Sequence, residues 1–334
     1  MSSRVSALRK ESPSGRSFGF DAPDRSSPDK EAPEPGAPGQ WGKHDTPKSG
    51  ELVIAGSGFF ISPDGYAVTN SHVVEESDTV EIRTHDDKTY TAKVVGKDSL
   101  SDLALIKVYG NKEFSYVKLA DQPPRIGDWV LTAGYPFGLG GTVTAGIVSA
   151  HERSIEATSS EDLIQIDAPI NKGDSGGPSF DVSGDVIGVN SMIFSPSGGS
   201  VGVAFAVPAD TVKTVIPQLR DKGSVTRGWM GVQVQSVTSE LAEGLGLDKL
   251  RGAIVTDVQS DSPAAKAGLA RGDVIVSIGG QPIKDAHNLT SKTRGTAPGS
   301  SIELGLMREG EQKSVNVTLG QLPKQAAAPA DTRR

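Results

Sequence analysis

Three observations predict a mainly β protein of more than one domain. The chain has 334 residues, more than one ordinary domain needs. From residue 52 onward, short β-prone runs follow one another, broken by glycine and proline, with no long helix between them before residue 208. After Arg227 the texture becomes mixed, with helical and strand patterns alternating. Short strands spaced this regularly close into antiparallel barrels or sandwiches.

Residues 1–50 carry 7 of the 21 prolines among Ser, Gly, Asp and Glu, with almost no periodic apolar pattern. Such a composition buries too little surface to offset the entropy of ordering, so this segment is predicted as disordered or loop. Residues 51–222 are predicted as one β domain, with barrels at about 51–115 and 120–207 and a closing helix at 208–222. In that helix Val212, Val215, Ile216 and Leu219 recur at helical spacing, Gly223 stops the run and Pro217 should bend it. A second domain is predicted at 226–321. There Ser262-Pro263 opens a short helix, a second helix covers 285–294, and Ile302, Leu304 and Leu306 alternate against Val315 and Val317 across a Glu309-Gly310 turn. Residues 322–334 read as a flexible tail.

Composition excludes several functions. With no cysteine there is no disulfide framework, thiol nucleophile or cysteine-based metal site. The 34 Lys and Arg against 41 Asp and Glu leave a net charge of −7, with no basic stripe to displace phosphate counterions, so no nucleic-acid partner is expected. No apolar run is long enough to span a membrane, and the apolar stretch at residues 5–8 is too short for the core of a secretion signal. His44, His85, His151 and His287 are scattered without ligand spacing, and no dinucleotide or phosphate-loop motif accompanies the glycines, so no metal or cofactor is expected.

The sharpest chemical signal is Gly173-Asp174-Ser175-Gly176-Gly177-Pro178, a serine between glycines that let the backbone turn tightly and aim its N–H groups at a reacting oxygen. Serine needs a base, and the base needs an orienting group. Upstream lie His72, after the strand ending at Thr69, and Asp102, before the strand at 103–108, which gives the chain order His, Asp, Ser. The α/β-hydrolase elbow also matches G-x-S-x-G, but it requires alternating strands and helices and the order Ser, Asp, His. Only His287 follows Ser175, inside the mixed block, so that reading fails.

With Gly56-Ser57-Gly58-Phe59, Thr69-Asn70-Ser71-His72-Val73-Val74, Ser101-Asp102-Leu103-Ala104-Leu105, Gly134-Tyr135-Pro136-Phe137-Gly138, Thr144-Ala145-Gly146-Ile147-Val148-Ser149 and Ile166-Asp167-Ala168-Pro169-Ile170-Asn171, the chain resembles the HtrA (Deg) family of trypsin-like serine proteases. The resemblance covers about residues 52–321. It implies a two-barrel chymotrypsin/trypsin-like domain followed by one PDZ domain of α+β type. It also implies His72 as general base, Asp102 as its orienting partner and Ser175 as nucleophile, with the backbone N–H groups of Gly173, Asp174 and Ser175 forming the oxyanion hole. The substrate pocket falls on Ile170, Asn190, Ser191 and Met192, small and apolar, with Pro169 where an acidic residue would select Lys or Arg. Arg153 aligns with the family's regulatory loop. Arg227-Gly228-Trp229-Met230-Gly231-Val232 aligns with the PDZ loop that catches the carboxylate of a C-terminal peptide paired to a sheet edge. Unfolded protein substrates, C-terminal peptide ligands, a homotrimer and a bacterial periplasm or cell-envelope location follow from the same resemblance. A chaperone or PDZ scaffold with little proteolysis, and a dedicated processing protease, stay open as alternatives. The family's first barrel strand is hard to find: only Arg4–Leu8 could be its end, so the barrel is expected to lack an edge strand.

Overall fold

A computed structural model describes residues 2–8, 53–75, 77–110, 113–155, 159–196, 198–238, 242 and 251–323. The first barrel is closed, with strand order β1 (Ser2–Leu8), β2 (Val53–Phe60), β3 (Tyr66–Thr69), β6 (Leu103–Val108), β5 (Thr89–Asp98) and β4 (Thr79–Arg83). The expectation of a missing edge is therefore corrected. Residues Ser2–Leu8 pair antiparallel with β2, from Ser2 opposite Phe59 to Leu8 opposite Val53, and Arg4–Ser6 pair with β4 on the other side. Closure gives both edges of this strand a partner and removes the open ladder that would otherwise invite association. The remainder of the segment predicted as disordered, residues 9–50, lies outside the described residues, as does the tail from residue 324.

The second barrel closes in the order β10 (Pro178–Phe180), β11 (Val186–Ile193), β12 (Ala204–Pro208), β9 (Ser159–Ile166), β8 (Thr142–Ile155) and β7 (Trp129–Gly134). Each barrel is filled by its own apolar cluster, around Val80, Ile82 and Ile106 in the first and Val130, Ile166 and Ile187 in the second. A third cluster joins them. Phe59, Leu103 and Leu105 from the first barrel and Val189, Phe205 and Val207 from the second meet Val212, Val215, Ile216 and Leu219 of the closing helix, Ala209–Lys222. Each buried aliphatic side chain there contributes about 1.5–3 kcal/mol relative to exposure. The helix ends at Gly223, whose φ of 69° would strain other residues and whose N–H donates to Leu219 O at 2.9 Å.

After the linker, β14 (Val232–Ser236), β15 (Ala253–Val258), β16 (Val274–Ile278), β18 (Ser301–Arg308) and β19 (Glu311–Thr318) form one sheet, with the short β17 (Gln281–Pro282) beside β16. β13 (Gly228–Trp229) pairs separately with β20 (Gly320–Gln321). Ser262 caps the short helix Pro263–Lys266 by accepting the N–H of Ala265, and Asp285 caps the helix Ala286–Gly295 by accepting that of Asn288 at 2.7 Å. Ile302 faces Val317 and Leu304 faces Val315 across a turn in which Glu309 and Gly310 both have positive φ. No helix among the described residues is long and apolar enough to cross a membrane.

Candidate active site

On the first-barrel side of the cleft, the turn after β3 carries His72, and the residue before β6 is Asp102. Contacts to the backbone set their separation: the Asp102 carbonyl accepts from Asn70 Nδ2 at 2.8 Å and from the Ser71 N–H at 3.2 Å. Asp102 itself has a φ of 52°, the left-handed region, so the loop holds it where an ordinary residue resists going. His72 Nδ1 lies 2.9 Å from both Oδ1 and Oδ2 of Asp102. Oδ1 also accepts from Ser71 Oγ at 2.9 Å and from the His72 N–H at 3.2 Å, while Oδ2 accepts from Ser191 Oγ at 2.6 Å. Burial alone would push the Asp102 carboxyl up, but the His72 hydrogen bond and charge and the Ser191 hydroxyl outweigh it, so the group sits below its ordinary value. An ionised carboxylate facing Nδ1 fixes the tautomer that leaves Nε2 free to accept a proton.

The second-barrel side is a glycine-rich turn between β9 and β10. Gly173 has a φ of 105°, and a Cβ there would lie 2.4 Å from Tyr135 O; at Gly176, with φ 87°, it would lie 2.2 Å from Ser57 O. Ser57, fully buried in β2, ties this turn to the first barrel: its N–H donates to Ser175 O at 2.7 Å and its hydroxyl to Gly173 O at 2.7 Å. Phe137 N donates to Lys172 O at 2.8 Å. Across a trans peptide the carbonyl and the next N–H point opposite ways, so this bond turns the Gly173 N–H away from the Pro136–Gly138 turn. The N–H groups of Gly173 and Ser175 make no hydrogen bond among the described residues, and two such open donors flanking a serine are what an oxyanion requires.

Asp174 does not belong with them. Its N–H donates to Asn171 O at 3.0 Å and its Oδ2 accepts from Asn171 N at 2.9 Å, so both groups close the turn rather than face a substrate. Burial pushes its carboxyl above the ordinary value, against the pull of that Asn171 bond. The Ser175 hydroxyl donates to Ser191 O at 3.2 Å, and no hydrogen bond joins it to His72 among the described residues. Bonds of this kind are often absent without substrate and form in the Michaelis complex.

A cavity of about 390 Å³ opens beside the His72–Asp102 pair, lined by Ser191, Met192, Leu163, Glu75 and Lys97 among others. Two of the pocket residues expected from sequence, Ser191 and Met192, are thus at the site. The other two are corrected: Ile170 is buried in the second-barrel cluster, and Asn190 is fully buried with its Oδ1 accepting from Ser179 Oγ. Both lie inside the barrel wall because their strand and turn direct them toward its core. Arg153 pairs with Leu163 in the β8–β9 ladder, which places its backbone in a strand rather than a loop; its side chain lies outside what the structure describes. Sequence reasoning missed the polar supports Ser57 and Ser71. Their only signal was a small hydroxyl residue inside a motif, at Gly56-Ser57-Gly58 and Asn70-Ser71-His72.

In the second domain, β14 is a sheet edge, and a cavity of about 160 Å³ lies between it and the helix Ala286–Gly295, lined by Trp229, Gly231, Val232, Leu289 and Thr293. Gly231, with φ 81°, has no room for a Cβ, which would lie 2.3 Å from Ser262 Cβ. Gly228 and the buried Met230 complete the loop. Arg227 departs from expectation. It is 6% exposed and spends its guanidinium on Asp98 of the first domain, at 2.7 and 2.8 Å, instead of facing the groove. Burial pushes the Asp98 carboxyl up, but Arg227 and Ser101 pull it further down, to a net value below the ordinary one. Among the described residues no cluster of His, Asp and Glu could hold a metal ion.

Two closed barrels, with a His–Asp pair on one and a serine between glycines on the other, define a trypsin-like peptidase domain, here followed by a PDZ domain. Residues 56–189 match the trypsin-like peptidase domain family and residues 228–319 the PDZ domain family. The chain is 49% identical over 276 residues to a probable periplasmic serine endoprotease DegP-like from Rhizobium meliloti, covering 82% of this chain and 55% of that protein. It is 50% identical over 286 residues to the protein of the same description from Brucella suis, covering 84% and 56%. The chain therefore spans little more than half the length of these curated relatives. Among solved structures it is similar to the HtrA-type protease AlgW with a tripeptide (39% identity, TM-score 0.75, covering 81% of this chain and 91% of that one). It is also similar to the serine endoprotease from Yersinia pestis (31%, TM-score 0.62, covering 81% and 90%). The chain belongs to the HtrA-type family of serine proteases.

Proposed function

We propose that this chain is a serine endopeptidase that cleaves unfolded or misfolded polypeptides through an acyl-enzyme and is regulated by C-terminal peptides bound at its PDZ groove. The observation that carries this reading is the His72–Asp102 pair, held at 2.9 Å across the cleft from a serine flanked by two open backbone donors. His72 Nε2 takes the proton of Ser175 Oγ as it attacks the carbonyl carbon and returns it to the leaving amine; water then repeats the sequence to free the acyl group. Asp102 keeps the imidazole oriented and stabilises its charged form, while the N–H groups of Gly173 and Ser175 stabilise the oxyanion. The 390 Å³ cavity presents Met192, Leu163 and Val207 to an aliphatic side chain beside its polar and charged lining, and apolar contacts discriminate by only about 1–3 kcal/mol per methylene, which suits many unfolded chains better than one target. The β14 edge and the cavity beside Gly231 suit a peptide added as a strand, its carboxylate caught by backbone N–H groups. A periplasmic location, a homotrimeric assembly and a role in protein quality control complete the proposal, the first from the descriptions of the curated relatives.

The orientation of the Ser175 hydroxyl toward Ser191 favours a second reading, a resting form that binds clients without cutting them. Hydrolysis of labelled reduced casein separates the two. Cleavage that rises with an added peptide ending in an aliphatic residue, and vanishes in Ser175→Ala, supports the protease; suppressed client aggregation without cleavage supports the holdase.

A further inference from the structure

The Asp102 carboxylate is gripped by hydroxyls from both barrels. Ser191, on β11 of the second barrel, donates to Oδ2 at 2.6 Å, and Ser71, in the turn after β3 of the first, donates to Oδ1 at 2.9 Å. Between them His72 Nδ1 sits at the same 2.9 Å from each oxygen. Equal distances place Nδ1 on the plane that bisects the two oxygens, so the carboxylate presents both of them evenly to the imidazole. A donor on one oxygen pulls the carboxylate round its Cβ–Cγ bond and a donor on the other opposes the turn; against Ser191 on Oδ2 stand the Ser71 hydroxyl and the longer bond from the His72 backbone N–H, at 3.2 Å, on Oδ1. Ser71 is 5% exposed, Ser191 4% and the Asp102 side chain they grip 16%, so water has little access to the carboxylate. Ser71 also ties its own N–H to Asp102 O at 3.2 Å, so its hydroxyl is delivered by a backbone already anchored to its target.

We infer that Ser71 is a positioning residue for the catalytic pair: its hydroxyl balances the Ser191 hydroxyl and keeps both Asp102 oxygens presented evenly to His72. This rests on the proposed proteolytic role of His72, Asp102 and Ser175. Ser71 lines the cavity beside the His72–Asp102 pair, but its hydroxyl is spent on Asp102 rather than on a reacting atom, so its effect runs through Asp102. Glu75 and Lys97 are the other charged groups lining the cavity beside the imidazole.

Two readouts test it in the full chain. In casein hydrolysis, Ser71→Ala should lower kcat about ten-fold with KM unchanged, the scale of one charge-assisted hydrogen bond partly backed up by others, and Ser71→Thr, which keeps a hydroxyl, should restore it. In a Ser175→Ala background, 15N-edited NMR of the His72 Nδ1 proton should show a sharp resonance that broadens with faster water exchange on adding Ser71→Ala and recovers with Ser71→Thr. Thermal unfolding of each variant checks that the fold is retained. An unchanged kcat together with an unchanged Nδ1 resonance in Ser71→Ala overturns the inference, as does a loss that Ser71→Thr, folded to the same Tm, fails to restore. Should the parent cleave nothing, the proteolytic reading fails, and the NMR comparison still decides the role of Ser71.

Discussion

On the His72 side of the cleft, both carboxylate oxygens and the backbone carbonyl of Asp102 are engaged, whereas on the Ser175 side two N–H donors stand open and the hydroxyl points to Ser191 O. The two walls meet different demands. A base must keep one orientation through both halves of the reaction, and a closed set of hydrogen bonds gives it that. An oxyanion exists only in passing, so its donors must be unpaired beforehand and held by groups on their far side. Here those groups are the carbonyls of Lys172 and Asp174, bonded to the N–H groups of Phe137 and Gly177, while Ser57 of the opposite barrel holds the carbonyls of Gly173 and Ser175. Each wall thus depends on a small hydroxyl residue: Ser191 reaches from the second barrel to Asp102, and Ser57 reaches from the first barrel to the Ser175 turn.

The largest effect that sharpens this contrast is expected at Gly173. Alanine there needs a φ of 105° and a Cβ 2.4 Å from Tyr135 O, so the Lys172–Gly173 peptide must move and one open donor is lost. Loss of such a donor lowers kcat by about 10²–10³-fold, and steady-state kinetics of Gly173→Ala with KM little changed would bear this out. A change of less than about three-fold would mean that the open N–H is not used.

A smaller effect lies outside the cleft, where Arg227 meets Asp98. Because the Asp98 carboxyl sits below its ordinary value, the pair stabilises the folded chain above the unfolded value of about 3.9, and that contribution is lost as the pH falls through the lower folded value. Urea unfolding of the parent and Asp98→Asn should differ at about pH 6, with the gap narrowing toward about pH 3. Equal midpoints at the higher pH would show that the ion pair adds nothing to the docking of the two domains.

Much of this was legible in the sequence because local signals agreed with the fold. The closing helix carries its own apolar stripe and its own stop at Gly223, and the β18–β19 hairpin carries alternation and a Glu309-Gly310 turn. The strand Ser2–Leu8 escaped because it has no strong apolar run and its partner strands begin only at Val53, so its pairing is wholly non-local. The three-residue strand Pro178–Phe180 escaped for want of length. At the site, His72, Asp102 and Ser175 stood out because their chemistry demands those residue types. Ser57 and Ser71 did not, because a hydroxyl that anchors a turn looks in sequence like any other serine. Arg227 misled for the converse reason: an arginine ahead of a glycine turn suits an anion, and the anion it found is Asp98.

The most direct test of the central claim, that His72 and Asp102 activate Ser175, is labelling of the full chain with a fluorophosphonate, read by intact mass and peptide mapping. The account predicts a single adduct on Ser175, absent in Ser175→Ala and slowed by orders of magnitude in His72→Ala. No adduct in the parent, or an equal rate of labelling in His72→Ala, would contradict it.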